Sequence, residues 1–535
     1  MLTQHIRFRQ MKNKLMLLLV ASFSLLTSCK ESFLELPSPN NPTEENYFLT
    51  ADQVDGATGV LYNKVWYGYQ DKAFHAIGEA LGGNMLTADD QNYGGTVYNN
   101  FTFTSSDVLV ASSWASLYAV VGNATSLVQT LERKKAKVTD PAYLTQGIAE
   151  ARFIRGTAYF FLARAFKDVP IIEDPVAFAA SGNFNTPRYV QKDVLRFALE
   201  DFAYAEKNLS ATAKQKGRVT SLSATGMMAK VYLYQGDYAN AKLKSGQVIA
   251  SGKYDLYPDY GQMFTSSSAN NNQESLFAWQ WAAAGGYSIG NPIQAYCGTS
   301  PLLKPTTGAG WGSVYPTIDL VKSYETGDKR RGWSLMEQGF KRADWTNVNF
   351  PSGFKYDTSG IGNDGILWTK NGTRAHALKY VVGPGTNGEN VNGTSTDICT
   401  YILRYADVLL IYAEATLGAA ASTTDASALA AINKVRQRAG LPNATVITKE
   451  SVLKERRSEL AFEGDYWFDI QRQGFAKAKE IIAKQERGSY DYAGTHKINS
   501  TKINLTSESQ LFLPIPQSDL TASPKLKEPA VAYYK

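Results

Sequence analysis

The chain has 535 residues, 55 of them Lys or Arg and 49 Asp or Glu, for a formal charge of +6 with histidine neutral. The composition is that of a globular protein with an aromatic bias, 31 Tyr and 9 Trp. It lacks the basic stripe of a nucleic-acid binder, and three cysteines are too few for a disulfide scaffold.

The first element is a leader. Lys12 and Lys14 precede an apolar run from Leu15 to Leu26, and Leu26-Thr27-Ser28-Cys29 closes it. A basic n-region, a short apolar h-region and small residues before a cut are the marks of a secretory signal. A cysteine just behind the cut reads as a lipoprotein signal, with residues 1–28 removed and Cys29 lipidated. The run is shorter than the about 20 residues that span a bilayer. The expectation is therefore a body outside the cytoplasm, tethered to a membrane face by acyl chains. Residues 1–10 add a second basic stretch, which leaves Met11 as an alternative start. The leader carries Arg7, Arg9, Lys12 and Lys14 and no acid, so the remaining 51 basic and 49 acidic residues nearly balance. No further long apolar run is expected. Residues 29–45, with Pro37, Pro39 and Pro42, form a polar tether.

Residues 46–270 read as mainly helical. Asp140-Pro141 is a helix start, and Ile148, Ala151, Ile154, Ala158, Phe161 and Ala165 follow at spacings of three and four up to a stop at Pro170. Thr186-Pro187 repeats the start signal ahead of Val190, Val194, Phe197 and Phe202. Ser223–Gln235, Gly236-Asp237 and Tyr238–Ala241 read as a helix, a tight turn and a second helix opening with small residues. This resembles a tetratricopeptide helix pair, although no regular 34-residue period runs through the chain.

Residues 271–535 form a second region with a loop-rich insertion, 271–400. From about residue 252 the composition turns to Gly, Asn, Ser, Thr and Pro with scattered aromatics, and Leu276–Trp281 reads as a short strand. Helices resume over Tyr405–Ala415, Ala426–Ala439 with Gly440 as terminator, and Lys449–Phe462. Leu511–Pro516 is extended, because its prolines exclude a helix. Spacing does not decide whether Cys297 and Cys399 pair.

Two motifs imitate catalytic ones. Gly286-Tyr287-Ser288-Ile289-Gly290 fits the nucleophile elbow, but Asn291-Pro292 follows where a helix is needed, and histidine is scarce: His75, His376 and His496 behind the leader. Gly383-Pro384-Gly385-Thr386-Asn387-Gly388 fits a dinucleotide fingerprint, but another loop follows it. No two histidines stand at metal-ligand spacing and no calcium-loop pattern occurs, so neither metal, cofactor nor catalytic residue is expected. Glu455, Arg456, Arg457, Glu459 and Glu463 form a charged helix face that reads as a structural ion network.

That same helix carries a family resemblance. Glu455-Arg456-Arg457-Ser458-Glu459-Leu460-Ala461-Phe462-Glu463-Gly464-Asp465-Tyr466-Trp467-Phe468-Asp469-Ile470-Gln471-Arg472 resembles the SusD/RagB signature E-R-R-x-E-L-x-F-E-G-x-R-W-F-D-x-x-R. Arg404–Ala415, Ile432–Gly440, Ala149–Arg155, Phe166–Pro170 and Leu513–Pro516 are similar, in order, to further motifs of the family. Tyr466 stands where the family usually has arginine, and Lys167 where it usually has glycine. The resemblance implies a mainly α fold, with tetratricopeptide-like helix pairs supporting a loop-rich face with short strands. It also implies a non-enzymatic, surface-exposed outer-membrane lipoprotein that binds oligosaccharide or polysaccharide and passes it to a SusC-like TonB-dependent transporter. Part of the family is not glycan-directed, so a peptide, a glycoprotein fragment or another nutrient is the alternative ligand.

A sugar ring offers an apolar C–H face and a hydroxyl rim, which exposed aromatics and short polar side chains match. Two stretches meet that requirement. Gly82–Gly95 contributes Asn84, Asp90, Asn92 and Tyr93; the other carries Trp281, Tyr287, Tyr296, Trp311 and Tyr315. Tyr93 and Trp311, flanked by glycines, are the strongest candidates for exposure. Tyr62, Trp66 and Tyr69 have helical spacing and belong to the core, and Trp279 and Trp281 compete for it.

Overall fold

The structure is a computed structural model and describes residues 47–87, 96–357, 372–491 and 497–535. Val54–Lys535 form one compact unit, and the residues before it group separately.

Taken in chain order, the elements that position the site are β1 (Met85–Thr87), α1 (Val108–Lys135), α2 (Ala142–Phe166), α3 (Gln191–Asn208), α4 (Ser221–Gln235), α5 (Tyr238–Ala250), β2 (Ser275–Trp279), α6 (Ile293–Cys297), α7 (Ser300–Thr307), β3 (Val314–Pro316), β4 (Thr400–Arg404), α8 (Tyr405–Leu417), α9 (Ala426–Arg438), α10 (Lys449–Leu460) and α11 (Tyr466–Gln471). Each of helices α1 to α5 packs on the next, α5 packs on α8, and α8 packs on α9 and α10. The helical array therefore continues across the loop-rich insertion. The mainly α fold expected from the sequence is what is found.

The helix pair read from the sequence is α4–α5. Thr220 and Ser223 cap each other at its start, Gly236 closes α4 in the left-handed region, and the Asp237 carboxylate accepts the N–H of Asn240 to open α5. Ala229, Leu233, Ala241, Ile411 and Ala415 form the seam of α4, α5 and α8. Close approach is also needed on the other side of α4. A Cβ at Gly226 would lie 2.7 Å from Leu403 and 2.9 Å from Leu276, so glycine lets the β2–β4 pair lie against the helix.

Three expectations need correction. The α3 start signal at Thr186-Pro187 leads instead into extended backbone, where Tyr189 bridges Val169 and Val531. α3 begins at Gln191, whose N–H is accepted by the Asp168 carboxylate at 2.8 Å, a cap supplied from the turn after α2. α2 ends at Phe166 rather than at Pro170. A long apolar run does follow the leader: α1 is long and apolar enough to cross a membrane, and 56% of its most apolar stretch is buried in the fold.

The signature helix α10 forms the ion network expected of it. Arg404, fully buried, donates to the carboxylates of Glu274 (2.6 Å), Glu459 (2.6 Å) and Glu463 (2.7 and 2.8 Å). Arg438 joins Glu274 to Glu459, Arg330 joins Asp328, Glu455 and Glu459, and Lys379 pairs with Glu463. Burial alone would raise the Glu459 carboxyl, but Arg438, Arg404 and Arg330 outweigh it and hold it well below the ordinary range. At Tyr466 the Arg457 guanidinium lies 4.7 Å from the ring centroid, and it donates to Asp319 and Asn84.

Candidate ligand-binding site

The residues preceding α1 place one charged group beneath the loop-rich face. Trp66 and Tyr69 turn into the core, as their spacing predicts, and stack on Trp279 and Phe161 respectively. Tyr67, between them, faces the other way. Its ring meets Tyr287 edge-on at 5.1 Å and Trp281 at 6.3 Å. One turn further on, Asp71 accepts the hydroxyl of Tyr296 at 2.9 Å and that of Tyr287 at 3.4 Å, with the Lys72 ammonium 3.9 Å away. Burial lifts the Asp71 carboxyl above its ordinary value, against the pull of Tyr296, Lys72 and Tyr287 in the other direction. Tyr296, itself buried on α6, packs against Trp311 with ring centroids 5.1 Å apart.

The outcome is a row of rings joined through one carboxylate and ending in two exposed aromatics, Tyr287 at 62% and Trp311 at 53% exposure. Glycine geometry presents Trp311. Gly310 and Gly312 have φ of +92° and +55°, and a Cβ at either would meet Leu303 or His376 within 3 Å. Backbone bonds from Trp311 N to Ala295 O (2.8 Å) and from Gly312 N to Gly298 O (3.1 Å) pin the loop to α6. The β1–β3 ladder then sets Leu86 opposite Tyr315 and Thr87 opposite Val314, three residues after Trp311. It thereby joins the two candidate stretches at their edges.

The structure separates the predicted residues. Tyr287 and Trp311 are exposed, and Tyr315 is half-buried on β3. Asp90, Asn92 and Tyr93 lie outside the described residues. Three residues must be withdrawn from the exposed face, the first of them Tyr296, buried on α6. Asn84 is fully buried, donating to Glu79 at 2.8 Å and accepting from Arg457 at 2.8 Å. Trp281 is 7% exposed and gives its indole N–H to Thr400 at 3.0 Å, the hydroxyl that Gln70 also reaches. Trp281 lies two residues past the end of β2 and is buried against Tyr67 rather than in the Trp66–Trp279 stack. Sequence reasoning missed Tyr67 and Asp71; the available signal was that Tyr67 falls off the helical face shared by Tyr62, Trp66 and Tyr69.

Ser288 lies in a turn at φ +75°, and Asn291 behind it pairs with Thr396 before the five-residue α6 begins. Gly383–Gly388 is a loop in which the Gln294 side chain accepts the N–H groups of Val382 and Gly383. Cys297 and Cys399 are both free and buried, and burial lifts their thiols to about 12 and about 11.

Fold and site together define a helical scaffold that presents aromatic rings to solvent from a loop-rich face. Residues 273–533 match the model of the SusD family, and residues 32–233 match one described as starch-binding, associating with the outer membrane. A SusD-like protein of Bacteroides ovatus is 31% identical over 567 aligned residues, covering 98% of each chain. A crystal structure determined with xylogluco-oligosaccharide is 29% identical, with a TM-score of 0.79 over 90% of this chain and 99% of its own. A laminarin-binding SusD-like protein, 23% identical, shares the fold with a TM-score of 0.68 over 88% and 97% of the two chains. The chain belongs to the SusD family.

Proposed function

We propose that the protein captures an oligosaccharide or polysaccharide on the platform of Tyr287 and Trp311 and delivers it to a TonB-dependent transporter, without chemical conversion. It works at the outer membrane, exposed on the cell surface and held by acyl chains on Cys29. The observation that carries this reading is the pair of exposed rings braced from beneath by Asp71 and Tyr296. Exposed aromatic faces meet the apolar side of a sugar, and a hydroxyl at the ring edge meets its rim. The relative solved with xylogluco-oligosaccharide supports the ligand class. The leader ending in Cys29 and the family description support the location.

The test is retardation of the mature body, residues 30–535, in affinity gels cast with a panel of polysaccharides. Retardation by one glycan class is expected. The double variant Tyr287→Ala/Trp311→Ala should lose it while its melting temperature stays within about 2 °C of wild type, as for surface substitutions. Unchanged retardation in the double variant removes the platform from the site. No retardation of the wild type by any polysaccharide favours a peptide or other non-glycan nutrient.

A further inference from the structure

We infer that the protein carries a second, smaller saccharide pocket, between the C-terminal end of α2 and the segment Glu508–Pro514. It encloses about 550 Å³, within the range of small-molecule sites. Its walls are the rings of Phe101, Phe103 and Phe512, and Lys167, Asp168, Arg188 and Glu508 stand around them. Phe103 and Phe512 are half-exposed.

Three observations converge here. The lining combines aromatic faces with a polar rim in which two cations offset two acids. Such a surface selects a neutral ligand rich in hydroxyls, each able to donate and accept, over an ion. Secondly, the polar groups keep capacity to spare. Asp168 accepts the Gln191 N–H through one oxygen, and its other oxygen has no hydrogen bond among the described residues. Arg188 gives Nη2 to the Glu528 carbonyl at 2.6 Å, while its Nε–H is covered and has no partner among the described residues. Lys167 and Glu508 approach only to 3.9 Å.

Thirdly, Lys167 occupies backbone at φ +67° and ψ −92°, where glycine would sit without steric cost. A loose, exposed ion pair offers little stability in exchange for that strain. What the lysine does provide is an ammonium 5.3 Å from the centroid of the Phe512 ring, beside the pocket. The position of the pocket is independent of the platform; its saccharide class rests on the glycan reading above.

The experiment titrates the mature protein with cellobiose, maltose and laminaribiose, observed by saturation-transfer NMR and calorimetry. Wild type, Tyr287→Ala/Trp311→Ala, Phe512→Ala and the triple variant are compared, with folding checked by circular dichroism. Binding of one disaccharide should persist in Tyr287→Ala/Trp311→Ala and weaken at least tenfold when Phe512→Ala is added. Lys167→Gly should raise the melting temperature and weaken that same binding at least threefold, a pair of opposite changes that a purely structural lysine would not give. The pocket is overturned if disaccharide binding vanishes in Tyr287→Ala/Trp311→Ala or, in that background, survives Phe512→Ala unchanged or is indifferent to Lys167→Gly. A wild type that ignores disaccharides but is retarded by a polysaccharide gel overturns the pocket alone. Silence in both assays overturns the pocket and the platform together.

Discussion

The seam beneath α10 and the face above α6 are built on opposite terms. In the seam, Arg404, Arg330 and Lys379 are buried, the Arg438 side chain is largely so, and they are answered by Glu274, Glu455, Glu459 and Glu463, drawn from segments nearly two hundred residues apart. Each charge there is tolerable only because its partners are in place. On the face, Tyr287 and Trp311 make few demands on the fold; glycines and backbone hydrogen bonds hold their loops, and the rings project to solvent. A seam of that kind locks sequence to fold. The face can exchange its rings at little cost in stability, so a scaffold signature says little about the ligand.

The sharpest way to break the comparison is Arg404→Leu. It leaves Glu274, Glu459 and Glu463 sharing a buried space without their common cation, which costs about 3–5 kcal/mol. Urea denaturation of the mature body should show that loss, whereas glycan affinity of the folded fraction should stay within twofold of wild type. A stability change under about 1 kcal/mol would mean that the remaining cations suffice and that the seam is redundant.

This contrast also explains what the sequence disclosed. Helical spacing and caps gave α2, α4, α8, α9 and α10 to within a few residues, and the start of α5, because local preferences and the buried stripe agree there. The α3 start was misplaced because its cap, Asp168, is remote in sequence from the residue it serves. The ion network was legible as a charged face on α10, since a motif that dense in arginine and glutamate needs partners. Site residues were harder. Trp281 and Trp311 look alike in composition, and only the pairing of β2 with β4 and the glycines around Trp311 separate an interior ring from an exposed one. Asp71 gave no local sign, because its role depends on Tyr287 and Tyr296, more than two hundred residues away.

A smaller effect should distinguish the two regions by pH. Glu79 is fully buried and accepts the Gly464 N–H behind the seam at 2.7 Å and the Asn84 amide at 2.8 Å. Burial raises its carboxyl from 4.5 to about 7, more than these donors lower it. The folded state thus holds this proton more tightly than the unfolded chain does. The contribution to stability is fully present below pH 4.5 and is lost as pH rises to about 7, by up to about 3 kcal/mol. Measured by urea denaturation, Glu79→Gln should become progressively less destabilised relative to wild type between pH 5 and pH 8. A difference that stays constant across that range would show that Glu79 remains ionised throughout.

The smallest expected change lies at the join between scaffold and face. Asp71→Asn removes a buried negative charge but keeps an amide oxygen that can accept from Tyr296, the shorter of the two tyrosine contacts. Stability should hold or rise slightly, because burial disfavours the ionised carboxylate. Glycan affinity should fall about two- to fivefold, the worth of exchanging a charge-assisted hydrogen bond for a neutral one at about 0.5–1 kcal/mol. The change should act through the pose of Tyr287, whose hydroxyl makes the longer of the two contacts, and so Asp71→Asn added to Tyr287→Ala should cost little more than Tyr287→Ala alone. Fully additive losses in that double-mutant cycle would make Asp71 a direct ligand contact rather than a brace beneath the rings.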